Sequence, residues 1–153
     1  GGQGAPLVPV GEKFLFPEYN TLINLGGFAN ITKRTNDSLV AYDICPVNIV
    51  LNRLCNLVNL KFDNKGKLAS SVKLQNNLFN DLQSLKYYNL NPPKSLGVEW
   101  VNKFVLPLLD KFSDIAVKDL LHTFSNHIAN QISCASIVFT ALFSSSNRVY
   151  SRS

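Results

Sequence analysis

The spacing of apolar residues divides the chain into a first part with strand character and a longer second part with helical character. Three short segments, 21–25, 28–33 and 39–44, are mostly apolar or alternate between apolar and polar residues. A Gly-Gly pair at 26–27 separates the first two, and a Thr-Asn-Asp-Ser cluster at 35–38 separates the second two. Because both connections are short, the pattern predicts an antiparallel three-stranded meander.

Beyond the third segment, apolar residues recur every three or four positions, which is typical of helices. Segment 47–58 predicts a first helix with Pro46 in its first turn. Segment 68–88 predicts a second helical region. Segment 99–112 predicts a third, with a kink or break at Pro107 because proline cannot donate a backbone hydrogen bond.

A final helix is predicted to start after a cap by Ser113 or Asp114 and to run to about Ile132. Its inward-facing residues would be Leu120, Leu121, Phe124, Ile128 and Ile132. The remaining stretch, 134–153, has a short apolar run and a polar, serine-rich end. We interpret it as a divergent or truncated tail, with a genuine but divergent strand at 136–143 as the alternative.

Composition narrows the class of protein. The chain has 153 residues, of which 46% are hydrophobic, so a real core can form and disorder is disfavoured. Only 16% are charged, below the roughly 25% of a typical soluble domain, which indicates a face that packs on something absent.

Methionine is missing altogether, so either processing removed the start or the chain is a piece of a longer protein. The N-terminal stretch of the sequence has no basic-plus-apolar signal segment, and the longest apolar run, 134–143, is too short to span a bilayer.

The net charge of +5 and the pI of about 9.2 raise the question of nucleic acid. The basic residues are scattered, and Lys33-Arg34 is their only adjacent pair, so a mildly basic, solvated surface is the better interpretation. A basic domain that binds an acidic partner is the non-enzymatic alternative. Three widely spaced cysteines form neither a disulfide framework nor a zinc motif and point to a reducing cytoplasm.

The first candidate constellation surrounds Gly26 and Gly27, in segment 24–32. A glycine turn exposes backbone N–H groups that can cradle a phosphate, and nearby polar side chains such as Asn30 can add hydrogen bonds. An ordinary Gly-Gly hairpin explains the same pattern.

The second constellation runs from Asp43 to Asn48, where a strand end leads into a helix start. An aspartate there can hold Mg²⁺ directly or through water, or it can merely cap the helix. The third is the stiff loop 91–99, which presents Lys94, Ser95 and Glu99 for recognition of a hydroxylated ligand. Its alternative is a helix start with Ser95 as the cap and Glu99 in the first turn.

Histidines offer no further site by spacing. His122 and His127 are five residues apart on one predicted helix and do not share a face at metal-binding spacing, so both are interpreted as surface or packing residues.

Four stretches taken in order, 1–9, 24–32, 43–48 and 92–99, resemble the anhydro-N-acetylmuramic acid kinase family, and the resemblance covers about residues 1–132. It implies a sugar kinase of the actin-like ATPase (ribonuclease H-like) superfamily, with two α/β lobes and ATP in the cleft. The fold class expected for this chain is therefore α/β (α+β mixed), a meander followed by helices within one such lobe. Another actin-like sugar kinase is the alternative from the same superfamily.

The resemblance also implies a reaction and a set of site residues. Family members cleave the 1,6-anhydro ring with water and transfer the γ-phosphate of ATP to O6, which gives N-acetylmuramic acid 6-phosphate in peptidoglycan recycling. The cofactors are ATP and Mg²⁺. Residues implied on the nucleotide side are Gly26, Gly27, Asn30, Asp43 and Asn48, with Asp43 also near the metal. Residues implied on the sugar side are Gln3, Lys94, Ser95 and Glu99.

The same resemblance sets the domain boundaries. Segment 1–20 would enter from a preceding lobe, 21–133 would be part of the C-terminal lobe, and 134–153 the tail. The family's catalytic aspartate would lie just upstream of Gly1, and its first phosphate loop further upstream, so the isolated chain is expected to be inactive. Sugar and ATP would be its partners, with neither nucleic acid nor membrane, and the full-length protein could form a homodimer.

One departure from the family is notable. Its Asp-Thr-Gly-Pro-Gly-Asn stretch is here Asp43-Ile44-Cys45-Pro46-Val47-Asn48, which keeps the aspartate and the asparagine and replaces a threonine and two glycines.

Overall fold

Three strands form one antiparallel sheet in the order β1-β2-β3. They are β1 (Thr21–Leu25), β2 (Phe28–Arg34) and β3 (Leu39–Pro46). The computed structural model describes residue 11 and residues 15–34, 39–71 and 73–144. The predicted meander and the mixed α/β class are confirmed, since helices follow the sheet throughout the rest of the described chain.

The pairing of β2 with β3 contains a bulge that sets which residues share a face. Ala29 pairs with Cys45, whereas the next residue, Asn30, pairs with Asp43, so Ile44 is an extra residue on β3. Across the other ladder, Asn24 pairs with Asn30. Directly paired residues project to the same side of a sheet. Asn24, Asn30 and Asp43 therefore form one line of polar side chains, called the polar row below.

The helical part is more broken than the spacing predicts. It comprises α1 (Asn48–Asn56), α2 (Asn76–Gln83), α3 (Val98–Trp100), a π-helical turn (Val101–Val105), α4 (Leu106–Asp110) and α5 (Val117–Ser144). Short 3₁₀ turns lie at Asn64–Gly66, Ala69–Ser71 and Lys86–Asn89. The single helical region predicted for 68–88 is thus two 3₁₀ turns on either side of α2.

Of the two prolines predicted near helices, Pro46 has a different position from the one expected, whereas Pro107 lies within the predicted helical segment beside an irregular turn. Pro46 is the last residue of β3 and is buried, so it does not lie in the first turn of α1. Pro107 is the second residue of α4 and does not end the helix. The irregularity lies one turn earlier, where the wider π-helical turn precedes the proline. Because residues 98–110 are helical without a break, the missing N–H of Pro107 leaves a carbonyl of the preceding turn without its usual helical partner, and the wider turn lies at that place.

The last helix, α5, starts later and extends further than predicted. The carbonyl of Ala116 accepts the N–H groups of Asp119 and Leu120, so neither Ser113 nor Asp114 occupies the capping position. Five residues were predicted to face inward: Leu120, Leu121, Phe124 and Ile128 are buried, and the half-buried Ile132 packs against the same core.

The α5 helix continues to Ser144, so the alternative of a strand at 136–143 is wrong. Local apolar alternation resembled a strand there, but continuous helical hydrogen bonding extends from the well-packed part of α5 through the segment.

The core lies between the sheet and the helices. One face of β2 contributes Ala29 and Ile31, and α1 contributes Val50 and Leu54. Phe124 of α5 is completely buried in the same cluster. Aliphatic and aromatic side chains buried to this degree each contribute about 1.5–3 kcal/mol relative to exposure. The α5 helix thereby fixes the back of the sheet.

The remaining predicted apolar positions of the first helical segment do not join this core. Leu57 and Val58 lie beyond the end of α1 and are exposed.

Candidate functional site

The loop after the two prolines docks against β3 at Asp43. The N–H of Leu96 donates to Asp43 Oδ2 at 2.8 Å, and the N–H of Asp43 donates to the carbonyl of Lys94 at 3.3 Å. Main chain and carboxylate are therefore both held by the same three-residue stretch, in the manner of a short added strand. Two constellations that are about fifty residues apart in the sequence become one site, and the spacing of residues alone could not join them.

A tyrosine holds the same strand from the other direction. Tyr87 Oη donates to the carbonyl of Asp43 at 2.6 Å. Lys94 Nζ donates to the carbonyl of Tyr87 at 3.2 Å and lies 4.7 Å from the centroid of the Tyr87 ring. It also lies 5.6 Å from the Tyr42 ring, a second cation–π contact. We call Asp43, Tyr87, Lys94 and Leu96 the Asp43 clasp.

Burial shapes the electrostatics of the clasp. Desolvation lowers the pKa of Lys94 from its ordinary value and raises that of Tyr87, so the phenol stays protonated and remains a hydrogen-bond donor at neutral pH. The neighbouring Cys45 is buried too, and burial raises the pKa of its thiol to about 12. The thiol is therefore protonated at neutral pH and is not a nucleophile.

The Gly26-Gly27 turn meets the start of α1 through its carbonyls. Gly27 accepts the N–H of Val47 at 2.8 Å and that of Ile49 at 3.3 Å, while Gly26 accepts the N–H of Asn48 at 3.2 Å. These bonds satisfy donors that a helix start otherwise leaves without partners. No side chain caps α1, so the interpretation of Asp43 as its cap is wrong.

The same turn is exposed on its outer side. A Cβ added at Gly27 would meet no atom within 4 Å, and one at Gly26 would meet only the Phe28 carbonyl, at 3.7 Å. The main chain of the turn is thus accessible to a ligand on this side. The N–H groups at the start of α1, on its other side, already donate to the glycine carbonyls. Asn30 is half-buried in the polar row, where its Oδ1 accepts a 3.4 Å hydrogen bond from Asn24 Nδ2. Gly26, Gly27, Asn30 and Asp43 lie toward the same end of the sheet, since β1 ends and β2 begins at this turn.

Asn48 is brought to a different place. It is the first residue of α1 and lines a cavity of about 500 Å³ between α1, α5 and the turn at residues 62–69. The cavity is also lined by Leu51, Asn52, Phe62, Asp63, Gly66, Ala69, Leu121 and Ser125. Asp43 does not line this cavity, whereas the N–H of Asn48 donates to Gly26, another member of the predicted nucleotide set.

The sugar-side residues divide in a similar way. Ser95 and Glu99 are exposed, whereas Lys94 is half-buried in the clasp. The helix after the loop begins at Val98 with Gly97 as its cap, so Ser95 is not the cap, although Glu99 does lie in the first turn. A Cβ on Gly97 would come within 2.5 Å of Glu99 Oε2, so glycine leaves room for this carboxylate to fold over the helix start. Gln3 and the stretch 1–9 lie outside the described residues.

The histidines are packing residues on the opposite side of Tyr87-Tyr88. His127 is completely buried, with Nε2 2.9 Å from Tyr88 Oη, and burial lowers its pKa to about 4. Its Nδ1 is buried without a hydrogen-bond partner among the described residues. His122 is half-buried, with Nδ1 2.8 Å from the carbonyl of Ala69.

Tyr42, Tyr87 and Tyr88 shape the site, but they were not among the residues predicted from the sequence. The adjacent Tyr87-Tyr88 pair shortly before the two prolines is the signal that could have revealed them, since paired aromatics in a polar stretch need partners for their hydroxyl groups.

A magnesium ion fits this arrangement only in one form. In the described part of the chain, no three His, Cys, Asp or Glu residues cluster so as to hold a metal. Mg²⁺ usually binds one or two carboxylates together with substrate phosphates and water. The Asp43 carboxylate can serve as that single protein ligand. The replaced family positions, Ile44, Cys45 and Val47, are buried in the core and present no polar group to a ligand.

In the described part of the chain, no helix combines the length and the apolar character needed to cross a membrane, and this includes α5.

Comparison with known proteins identifies the family. A family model for anhydro-N-acetylmuramic acid kinase matches residues 1–142, so the match continues past residue 132, where the motif resemblance ends. The anhydro-N-acetylmuramic acid kinase of Bacillus cereus (strain 03BB102) is 35% identical over 141 residues, and that of Clostridioides difficile (strain 630) is 38% identical over 141 residues. Each alignment covers 86% of this chain and 37% of the relative.

A further relative, from Bacillus cereus (strain G9842), carries the same name and is 33% identical over 149 residues, which are 92% of this chain and 36% of that protein. The chain thus spans little more than a third of the length of the curated relatives that it matches. Since the family model covers nearly all of its residues, the chain belongs to the anhydro-N-acetylmuramic acid kinase family.

Proposed function

We propose that this chain is part of an ATP-dependent sugar kinase that cleaves the 1,6-anhydro ring of anhydro-N-acetylmuramic acid with water and phosphorylates O6. The product is N-acetylmuramic acid 6-phosphate, and the pathway is peptidoglycan recycling in the cytoplasm. The observation that carries the proposal is the family match over residues 1–142. The Asp43 clasp adds support, because it joins a residue implied on the nucleotide side to the loop implied on the sugar side.

The nucleotide side is assigned to the end of the sheet at the Gly26-Gly27 turn. The exposed outer side of this turn would approach the phosphates, with Asn30 and Asp43 beside it in the polar row. Leu96 occupies one oxygen of the Asp43 carboxylate, so the other oxygen would bind Mg²⁺ directly or through water. When bound, Mg²⁺ supplies positive charge that neutralises the phosphates during transfer. Asn48 would lie behind the phosphates, since its N–H binds the Gly26 carbonyl and it lines the neighbouring cavity.

The sugar side is assigned to the loop that follows the clasp. Ser95 and Glu99 are exposed and carry the hydroxyl and carboxylate groups suited to binding sugar hydroxyls. Gln3 is assigned to the same side through the resemblance. The general base that activates water is expected upstream of Gly1, so the isolated chain should lack activity.

The direct test is a coupled assay of ADP release with anhydro-N-acetylmuramic acid. We expect ATP-dependent phosphorylation from the full-length reading frame that contains residues 1–153, and none from the isolated chain. Sequencing the DNA upstream of Gly1 and beyond Ser133 supplies that frame. Phosphorylation by the isolated chain would refute its predicted inactivity.

A panel of other sugars in the same assay distinguishes the alternatives. Turnover of a different sugar but not of the anhydro sugar would favour another actin-like sugar kinase. Retention on heparin that only high salt reverses, without turnover of any sugar, would favour the basic binding domain instead.

A further inference from the structure

Within the Asp43 clasp, Tyr87 contacts Asp43 and Lys94 but not Leu96. Its hydroxyl donates to the carbonyl of Asp43, its own carbonyl accepts Lys94 Nζ, and its ring lies beneath that ammonium. The residue is buried, in the 3₁₀ turn Lys86–Asn89. Its ring packs 5.4 Å from that of Trp100, which fixes its direction from behind.

These contacts restrict where the Asp43 carboxylate can lie. The strand at Asp43 is held on its carbonyl side by Tyr87 and on its N–H side by Lys94, while the carboxylate itself accepts from Leu96. Lys94 belongs to both restraints, because its main chain pairs with β3 and its ammonium binds Tyr87. The ammonium thus contacts an internal carbonyl and two tyrosine rings.

We propose that Tyr87 is a positioning residue for Asp43, and that Lys94 acts by locking Tyr87 and the 94–96 loop together and not by contacting the sugar. The assignment rests on the proposed function only for the identity of the ligand that Asp43 meets. A carboxylate fixed in advance loses less conformational freedom when it binds a metal–nucleotide, so loss of the Tyr87 hydroxyl should weaken that binding.

The adjacent tyrosine provides a matched control. Tyr88 is next in the sequence, and its hydroxyl also makes one internal hydrogen bond, to His127, on the side away from Asp43. Tyr87→Phe and Tyr88→Phe each remove one hydroxyl from the same turn and keep the ring. A loss of protection or affinity that came only from a destabilised turn should therefore be similar in the two variants.

Hydrogen exchange at the Leu96 amide reports on the clasp without any ligand. In the full-length protein, we expect Tyr87→Phe to lower the protection of this amide about tenfold, which corresponds to one lost hydrogen bond, and Tyr88→Phe to leave it unchanged. Lys94→Met should lower it as well, and Lys94→Arg, which keeps the charge and a donor, should restore most of it. Because Lys94 is only half-buried, the Lys94 pair remains informative if Tyr87→Phe does not fold.

A second readout is the affinity of the full-length protein for Mg²⁺–ATP by titration calorimetry. The expected result is about tenfold weaker binding for Tyr87→Phe, with Tyr88→Phe unchanged. Unchanged Leu96 protection in both Tyr87→Phe and Lys94→Met would overturn the proposal, as would equal losses in Tyr87→Phe and Tyr88→Phe. If the unsubstituted full-length protein binds no Mg²⁺–ATP, the proposed function fails, and the Leu96 amide alone decides the positioning role.

Discussion

Two neighbouring tyrosines connect regions of opposite electrostatic character. Tyr87 reaches the Asp43 clasp, where a carboxylate and an ammonium are both only half-buried. Tyr88 reaches His127 in an aromatic cluster that we call the His127 core and define as Tyr88, Trp100, Phe124 and His127, of which Phe124 and His127 are completely buried. The same 3₁₀ turn therefore supports a region that can keep its charges and a region that excludes them.

In this part of the protein, a charged group is tolerated at the Asp43 clasp but not in the His127 core. A charge at the clasp is only half-buried and retains contact with water, so little compensation by the surrounding protein is required. A charge in the His127 core would be desolvated without compensation, since Nδ1 of His127 is buried without a partner among the described residues. The histidine is thus suited to packing, and the aspartate to binding.

The largest expected effect is acid destabilisation through the His127 core. The pKa of His127 is about 4 in the folded state and about 6.5 when unfolded, so the unfolded state binds more protons between these values. The free energy of unfolding should be highest above pH 6.5 and should fall as the pH drops, with a loss that approaches about 3 kcal/mol at pH 4. Urea midpoints at pH 7 and pH 4.5 measure the loss.

His127→Leu provides the reference for this experiment, because acidic residues also titrate in the same range. The variant should lose clearly less stability between the two pH values than the unsubstituted chain. An identical loss in both proteins would show that His127 is not held neutral, and the contrast between the two regions would disappear.

The next effect concerns the charge of the clasp. Asp43→Asn should weaken Mg²⁺–ATP binding by the full-length protein by roughly ten- to a hundredfold, because the carboxylate proposed to meet Mg²⁺ loses its charge. Stability should change little, since the amide oxygen can still accept the N–H of Leu96. Titration calorimetry and urea unfolding measure the two quantities, with Asp81→Asn, an exposed position on α2, as the control. Equal affinity in both variants would remove Asp43 from the binding site.

A smaller effect is expected from the hydroxyl of Tyr88. Tyr88→Phe should lower the free energy of unfolding by about 1 to 2 kcal/mol, because it leaves a buried histidine nitrogen without its partner. Urea unfolding at pH 7 tests this, and His127→Leu combined with Tyr88→Phe should cost less than the sum of the two changes. Strict additivity would indicate that the two side chains do not interact.

The smallest effect on stability is expected at the glycine turn. Gly27→Ala should change the free energy of unfolding by less than about 0.5 kcal/mol, because the added Cβ enters open space. If phosphates approach the same open side, Mg²⁺–ATP affinity should nevertheless fall in the full-length protein. Gly11→Ala, another position where a Cβ meets nothing within 4 Å, is the control. Unaltered affinity in both variants would place the phosphates elsewhere.

The sequence predicted the meander and the packed face of the last helix, because both depend on local periodicity. Ile31 and Phe124, for example, are buried as the alternation and the helical spacing require. Helix boundaries were less accurate, since Ala116 caps α5 through its main chain and Pro46 is absorbed into β3. Main-chain caps and strand extensions leave no signature in side-chain type.

Candidate site residues could be named from the sequence, whereas their arrangement could not. The contacts of Asp43 with Leu96 and Tyr87 span long sequence separations and involve a backbone N–H and a backbone carbonyl, which every residue carries. Residue identity therefore could not distinguish them. Asn48 also could not be placed from the sequence, because it meets the Gly26-Gly27 turn through its main-chain N–H and lines a cavity that Asp43 does not line.

The bulge at Ile44 has a consequence for how one strand can serve two purposes. In a regular strand, residues two apart share a face. Asp43 and Cys45 would then both lie on the face of the polar row or both on the face of the core. The extra residue shifts the phase of β3 by half a period, which pairs Asp43 with Asn30 and Cys45 with Ala29 on opposite faces. A half-buried carboxylate and a sealed thiol can thus be two residues apart on one strand.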